Sequence, residues 1–189
     1  MKNTVTTWGA FVLAFANVAQ AELSDERQVL NAINNVGYFA DQRDWDHVAA
    51  QFYSDGAVLD YSSFAEVSAG GSGDLPRLSP AEIVAAWQTV LPGYDRTHHL
   101  MGTESVTIDG NTATTTANVY ATHILKNAGE DTWVFIGDYQ HELVKTDDGW
   151  KITRMRANLR AQLGNENLPA LATRRVAAGL YQKGDVQAR

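Results

Sequence analysis

The chain has 189 residues, of which 44% are hydrophobic and 20% charged, values typical of one globular domain large enough to enclose a core and a ligand cavity. Its formal net charge of -7 argues against a nucleic-acid partner, and the absence of basic runs argues against an anionic membrane surface. The sequence contains no cysteine, which excludes disulfides, thiolate nucleophiles and cysteine-based metal sites.

The first 21 residues have the features of a secretory signal peptide. Lys2 gives a positive start, residues 10–16 form a short apolar centre, and Ala19-Gln20-Ala21 is a small-x-small cleavage site. We therefore expect cleavage after Ala21 and a secreted or periplasmic mature protein. If the leader is not functional, the protein is expected to be cytoplasmic.

The mature chain opens with a long helix. Ser24 is a candidate N-cap, and an apolar stripe follows at helical spacing: Val29, Ala32, Ile33, Val36 and Ala40. At about 100° per residue, Asp41 falls beside this stripe, so its carboxylate is expected at the edge of the core.

Two shorter helices and one short strand are predicted next. Residues 45–52 form the first helix and residues 57–61 the strand. Residues 68–74 are glycine-rich and are expected to form a flexible loop. Ser79-Pro80-Ala81-Glu82 then gives a capping box for a helix that runs towards Leu91.

From residue 97 the pattern changes to alternation, which predicts strands over 97–108, 112–126, about 133–143 and 150–159. The remaining residues, 164–189, are a tail with one candidate helix at 171–180, expected either to pack on a neighbour or to remain loose. The order of elements predicts an α+β domain over residues 22–163. In this domain a curved antiparallel sheet wraps around the long N-terminal helix and two shorter helices and encloses a conical pocket.

The residue types suited to chemistry are carboxylates and histidines. A carboxylate beside a histidine is a common proton-transfer device, because the carboxylate orients the imidazole and stabilises its charged form. The candidate carboxylates are Asp41 and Asp60, and the candidate histidines are His98, His99, His123 and His141. No metal site is predicted, because the sequence lacks His-x-His and His-Glu-x-x-His spacings.

Alternation along the first long strand does not choose between His98 and His99. On a regular strand His98 shares its face with Leu100 and Val106, whereas His99 shares its face with Met101. A bulge would reverse these faces. Each histidine also has a plainer interpretation as a hydrogen-bonded core or rim residue.

With these residues placed, the chain resembles the SnoaL-like family of the nuclear transport factor 2-like superfamily, and within it the scytalone dehydratases. The resemblance covers about residues 25–160. It is carried by Asp41-x-x-Asp44-Trp45-Asp46, Leu59-Asp60-Tyr61-Ser62-Ser63-Phe64, Pro80-Ala81-Glu82, Arg96-Thr97-His98-His99-Leu100-Met101-Gly102, His123 and Asp148-Gly149-Trp150-Lys151.

The resemblance implies a cystatin-like cone fold and a set of catalytic residues. Asp41 and His99 match the Asp–His pair of the family, which also occurs in hexachlorocyclohexane dehydrochlorinase. His123 matches the second active-site histidine, and Tyr61 matches the tyrosine that polarises the substrate carbonyl. One departure is Ala40, since the dehydratases have a tyrosine directly before the carboxylate of the pair.

We therefore expect a cofactor-independent lyase that eliminates water from a small cyclic or aromatic carbonyl compound. The alternatives are an isomerase or cyclase of the same family, or a non-catalytic module that binds a small ligand. No metal or cofactor is expected. We expect the protein to form a homodimer or homotrimer through the outer face of the sheet. The residues expected to line the substrate pocket are Tyr38, Met101, Trp133, Phe135, Tyr139, His141 and Asn158.

Overall fold

A six-stranded sheet with helices packed on one face organises the fold. The computed structural model describes residues 23–65, 75–126 and 128–181, so the predicted leader (1–21) and the predicted loop (68–74) lie outside the described residues. The elements in chain order are α1 (Asp25–Gln42), α2 (Trp45–Ala49), β1 (Ala57–Asp60), α3 (Ser62–Ala65), β2 (Arg77–Leu78), α4 (Pro80–Gln88), a 3-10 helix (Leu91–Gly93), β3 (Arg96–Asp109), β4 (Thr112–Ile124), β5 (Thr132–Thr146), β6 (Gly149–Gly164) and α5 (Leu168–Ala177). The predicted α+β architecture is confirmed.

The sheet has the strand order β2-β1-β6-β5-β4-β3, and β3 to β6 form an antiparallel meander. One pairing departs from the expected antiparallel arrangement. β1 runs parallel to β6, with Val58 opposite Arg154. Alternation in a sequence shows which face a residue occupies but not which strand lies next to it, so this pairing was not predictable from the pattern.

Two features favour helix α1: an N-cap residue at its start and an apolar stripe that is buried along its length. The hydroxyl oxygen of Ser24 accepts a hydrogen bond from the backbone N–H of Arg27, as expected of an N-cap. The predicted stripe is buried and forms part of a core that includes Ile83 and Ile152. Burying an aliphatic side chain of this size contributes roughly 1.5–3 kcal/mol, so α1 is held to the sheet mainly by this stripe.

Several element boundaries differ from prediction. Helix α2 ends at Ala49 instead of residue 52, because Phe52 forms a parallel bridge with Ile152 of β6. Strand β1 ends at Asp60, whose carboxylate accepts hydrogen bonds from the backbone N–H and the hydroxyl of Ser62 and so starts α3. The predicted capping box of α4 is present between Ser79 and Glu82, but the helix ends at Gln88.

Helix α5 begins three residues earlier than predicted and packs on the domain. It covers Leu168–Ala177 instead of 171–180, with a proline in its first turn, a position that suits proline because its missing N–H is not needed there. Leu168 and Ala172 are fully buried in a cluster with Tyr94. The helix is therefore neither loose nor dependent on a neighbouring molecule for its packing.

Within the residues that the structure describes, no helix is both long and apolar enough to cross a membrane.

Candidate active site

A cavity of about 300 Å³ lies between α1 and the face of the sheet that the helices cover. Its walls are mostly apolar, with a few polar groups, a composition typical of sites for small organic molecules. The lining residues are Ile33, Val36, Gly37, Ala40, Tyr61, Phe64, Trp87, Val90, Leu91, Tyr94, His99, Met101, Ala121, His123, Trp133, Phe135, Tyr139, His141, Met155 and Pro169.

Asp41 and His99 form a hydrogen-bonded pair at the wall of this cavity. Nδ1 of His99 lies 2.7 Å from Oδ1 of Asp41, and the backbone N–H of His99 donates to Oδ2 at 2.8 Å. The two side chains are only 11% and 8% exposed. The imidazole borders the cavity while the carboxylate lies behind it. His99 is thus the member of the pair that a ligand would touch.

His98 has a different environment although it is the adjacent residue. Its side chain is 75% exposed, and its Nδ1 lies 3.8 Å from Oδ2 of Asp41, beyond hydrogen-bond distance. The register of β3 shifts between Gly102 and Ser105, and Thr103 between them has a φ of 53°. This bulge explains why strand parity over the whole of β3 could not separate the two histidines.

Asp41 is held as a carboxylate. Burial raises its pKa, but the hydrogen bond and charge of His99 outweigh burial, and the backbone N–H of His99 and the hydroxyl of Thr97 add to the lowering, so its pKa lies below the usual range. An ionised carboxylate can only accept hydrogen bonds, so Nδ1 of His99 carries the shared proton. When the ring is neutral, its Nε2 is unprotonated and can act as a base.

His123 lies beside the pair in the same cavity. Its ring centroid is 5.7 Å from that of His99, and it packs between Tyr94 and Trp133 with ring centroids 4.8 and 4.6 Å away. Burial, with a contribution from the charge of His99, lowers the pKa of His123 to about 3. His123 is therefore neutral near pH 7 and can offer a hydrogen bond to a ligand but not the proton of an imidazolium.

Two tyrosines bring hydroxyl groups to the cavity. Nε1 of Trp87 donates to the hydroxyl oxygen of Tyr61 at 3.1 Å, which leaves the Tyr61 proton free to be donated to a ligand. The ring of Tyr139 stacks on Phe135 with centroids 5.7 Å apart, and burial raises the pKa of Tyr139. Both hydroxyls therefore stay protonated near neutral pH and can donate hydrogen bonds.

His141 is a second buried histidine of the cavity, at some distance along the sheet from the pair. It is 2% exposed, and its Nδ1 lies 3.0 Å from the hydroxyl oxygen of Thr115 on the neighbouring strand. Burial lowers the pKa of His141 to about 4, so it is neutral at pH 7.

Two residues predicted to line the pocket do not lie there. Tyr38 is 61% exposed, because it follows Gly37 by one position and the helix turns it away from the cavity. Asn158 is on the outer face of the sheet, where it donates to Asp138 at 2.7 Å. The other predicted lining residues, Met101, Trp133, Phe135, Tyr139 and His141, do border the cavity.

Asp60, the second carboxylate considered from sequence, is engaged elsewhere. Arg154 donates to its Oδ2 at 2.8 Å, and Ser62 donates to its Oδ1. Among the described residues, no three His, Cys, Asp or Glu side chains are grouped closely enough to hold a metal ion.

Sequence reasoning also missed part of the cavity wall. Tyr94, Met155 and Pro169 border the cavity but come from a loop, from β6 and from α5. The proline at the start of α5 was visible in the sequence. Its contact with the cavity depends on how α5 docks, which no local pattern reveals.

A family model described as a SnoaL-like domain matches residues 21–156, and the chain belongs to this family, as predicted. The chain is 30% identical over 146 residues to an uncharacterized protein of Mycobacterium tuberculosis, Rv2910c, an alignment that covers 76% of this chain and 90% of the relative.

Solved structures support the same fold. The Kfla4162 protein of Kribbella flavida superposes with a TM-score of 0.67 at 25% identity, covering 78% of this chain and 96% of that one. A protein of Novosphingobium aromaticivorans provisionally named scytalone dehydratase gives 0.59 at 18% identity, with coverages of 74% and 86%. Hexachlorocyclohexane dehydrochlorinase of Novosphingobium barchaimii gives 0.58 at 14%, with coverages of 75% and 93%.

Proposed function

We propose that the protein is a cofactor-independent lyase that eliminates water from a small cyclic or aromatic carbonyl compound. The observation that carries the proposal is the 2.7 Å contact between Nδ1 of His99 and Oδ1 of Asp41, with the imidazole facing an apolar cavity of about 300 Å³. A histidine oriented by a buried carboxylate is suited to removing a proton from carbon next to a carbonyl.

The reaction needs only groups that border the cavity. Nε2 of His99 removes a proton from the carbon next to the carbonyl, and the hydroxyl of Tyr61 donates a hydrogen bond to the enolate oxygen. The carbon–oxygen bond at the β-carbon then breaks, the departing oxygen takes the proton from the His99 imidazolium, and water leaves. His123, being neutral, donates a hydrogen bond to the departing oxygen. Acid–base assistance of this kind is worth roughly 10²–10⁴-fold in rate.

Two features support a working cavity over a plugged one. In a non-catalytic module, the carboxylate of Asp41 could lie beyond hydrogen-bond distance of every histidine, or Trp133 and Phe135 could fill the cavity. Here Asp41 is within hydrogen-bond distance of His99, and Trp133 and Phe135 form walls around open space. The names of two structural neighbours, a dehydratase and a dehydrochlorinase, are compatible with elimination in this fold.

The proposal is tested with 3-hydroxycyclohexanone as the probe. Elimination gives cyclohex-2-enone, which is lighter by one water and absorbs in the ultraviolet, and His99→Ala is expected to abolish its formation. An isomerase or cyclase would give a product of unchanged mass from its substrate. Binding of the probe without any change in it would favour the ligand-binding module.

The outer face of the sheet supports a homodimer or homotrimer. Leu100 and Tyr120 pair across β3 and β4 and are 60% and 43% exposed, and Tyr120 pairs onward with Ile136. Apolar side chains grouped in this way are typical of interaction surfaces. Light scattering of the wild type should give a dimer or trimer mass, and Tyr120→Asp should lower it.

The leader supports export, with cleavage after Ala21. Fractionation of an expressing bacterium, followed by N-terminal sequencing, should give a mature protein that begins at Glu22. An intact leader in the cytoplasmic fraction would contradict export.

A further inference from the structure

Arg43 ends α1 in a backbone conformation that is unusual for its residue type. Its φ of 60° and ψ of 26° are left-handed, and its N–H bonds back to the carbonyls of Ala40 and Phe39. Glycine or asparagine is preferred at such helix ends, because a Cβ is disfavoured there. We expect the side chain of Arg43 to make contacts that offset the cost of this left-handed conformation.

The guanidinium of Arg43 supplies these contacts by joining three elements. Its Nη1 donates to the carbonyl of Ala40 at 2.7 Å and to the hydroxyl oxygen of Thr97 at 2.8 Å. Its Nη2 donates to the carbonyl of Leu91 at 2.7 Å. The side chain thus ties the end of α1 to the 3-10 helix and to the start of β3, two residues before His99.

The donor and the acceptor of each hydrogen bond in this network follow from the groups that form it. A guanidinium has donors only and remains protonated in proteins, so Thr97 must accept from Arg43. The single hydroxyl proton of Thr97 is then donated to Oδ1 of Asp41, at 2.8 Å. Oδ1 also lies 2.7 Å from Nδ1 of His99. Because the carboxylate only accepts, His99 must hold a proton on Nδ1, and in the neutral form of the ring Nε2 is therefore bare.

We propose that Arg43 is a positioning residue for the Asp41–His99 pair, acting through the hydroxyl of Thr97 to orient the carboxylate and select the His99 tautomer with the proton on Nδ1. Neither Arg43 nor Thr97 borders the cavity, so both act on proton transfer without touching the ligand. The effect of Arg43 on catalysis rests on the proposed function, whereas its effect on the His99 tautomer does not.

Three variants separate positioning from mere capping of the helix. Arg43→Gly removes the guanidinium but keeps a residue that adopts the left-handed conformation readily, so the helix end remains favourable. Thr97→Val removes only the hydroxyl that links Arg43 to Asp41. Thr97→Ser restores that hydroxyl and serves as the matched control.

The first readout is the ¹⁵N NMR spectrum of the His99 imidazole near neutral pH, which reports which ring nitrogen carries the proton and needs no substrate. Wild type and Thr97→Ser should show the Nδ1-protonated form, and Arg43→Gly and Thr97→Val should show a larger share of the Nε2-protonated form. Wild-type tautomer populations in either of the latter variants, or the same loss in Thr97→Ser as in Thr97→Val, would overturn the proposal.

The second readout is the rate at which the α-protons of cyclohexanone exchange with D₂O. Arg43→Gly and Thr97→Val should lower this rate about tenfold or more without weakening binding of the ketone, because the geometry of the base is altered and not the cavity wall. If the wild type exchanges no protons, the proposed function fails, and the NMR spectra still decide the role of Arg43.

Discussion

Gly37 of α1 and His99 of β3 lie in direct contact, and a Cβ added to Gly37 would stand 3.0 Å from the Cβ of His99. Glycine inside a helix costs roughly 1 kcal/mol relative to alanine. Glycine at position 37 therefore lowers helix stability but lets His99 approach α1 closely. This approach brings the imidazole within reach of Asp41, one turn further along α1.

Gly37→Ala should consequently separate stability from activity. The free energy of unfolding is expected to stay within about 1 kcal/mol of the wild type, because the gain in helix propensity offsets the tight contact. The rate of cyclohexanone proton exchange should fall about tenfold, because His99 must shift. Gly102→Ala, whose added Cβ meets nothing within 4 Å, is the matched control. Equal activity in wild type and Gly37→Ala would contradict this account.

The free energy of unfolding should fall in mild acid because two histidines of the cavity are buried. Burial lowers the pKa of His141 to about 4, and burial with the charge of His99 lowers that of His123 to about 3. Below the ordinary histidine pKa of about 6.5, the unfolded chain binds protons that the folded protein does not, so stability falls as pH falls. Each histidine should contribute about 2 kcal/mol of this loss between pH 7 and pH 5.

Urea unfolding of wild type and His141→Phe at both pH values measures this effect. The phenylalanine variant should lose less stability on acidification, by about 2 kcal/mol, than the wild type. If both proteins lose the same amount, His141 is not held neutral by the fold.

Docking of α5 closes part of the cavity and should be sensitive to one side chain. Leu168 is fully buried, and Arg175 holds the same helix by donating to the carbonyl of Gly93 at 2.9 Å. Leu168→Ala should lower the free energy of unfolding by about 2–5 kcal/mol, as expected for a buried leucine. Leu180→Ala, at a residue that is 67% exposed, should have little effect. Chemical denaturation followed by tryptophan fluorescence compares the two, and a neutral Leu168→Ala would contradict the docking of α5.

The sequence predicted the elements better than their three-dimensional relations. The spacing of Ser24 and the apolar stripe predicted α1 and placed Asp41 at the edge of the core, because helical periodicity is a local property. Alternation predicted β3 to β6 for the same reason. The parallel pairing of β1 with β6 and the docking of α5 depend on contacts between distant residues, which local patterns do not contain.

The candidate site shows the same division. Trp133 and Tyr139 of β5 were predicted to line the pocket and do border the cavity. They are six positions apart, an even spacing that puts both on one face of a strand. Parity could not choose between His98 and His99, because the bulge after Gly102 changes the faces of β3 partway along its length. Arg43 was not singled out, because its role comes from a hydrogen bond to Thr97, which is 54 positions away.

The most direct test of the account is cyclohexanone proton exchange in D₂O, measured by ¹H NMR for wild type, Asp41→Asn, His99→Ala and His98→Ala. The wild type should exchange α-protons, and Asp41→Asn and His99→Ala should be slower by about 10²-fold or more. His98→Ala should match the wild type, because His98 faces solvent. Exchange that persists in both Asp41→Asn and His99→Ala, or that is lost only in His98→Ala, would contradict the assignment of the pair.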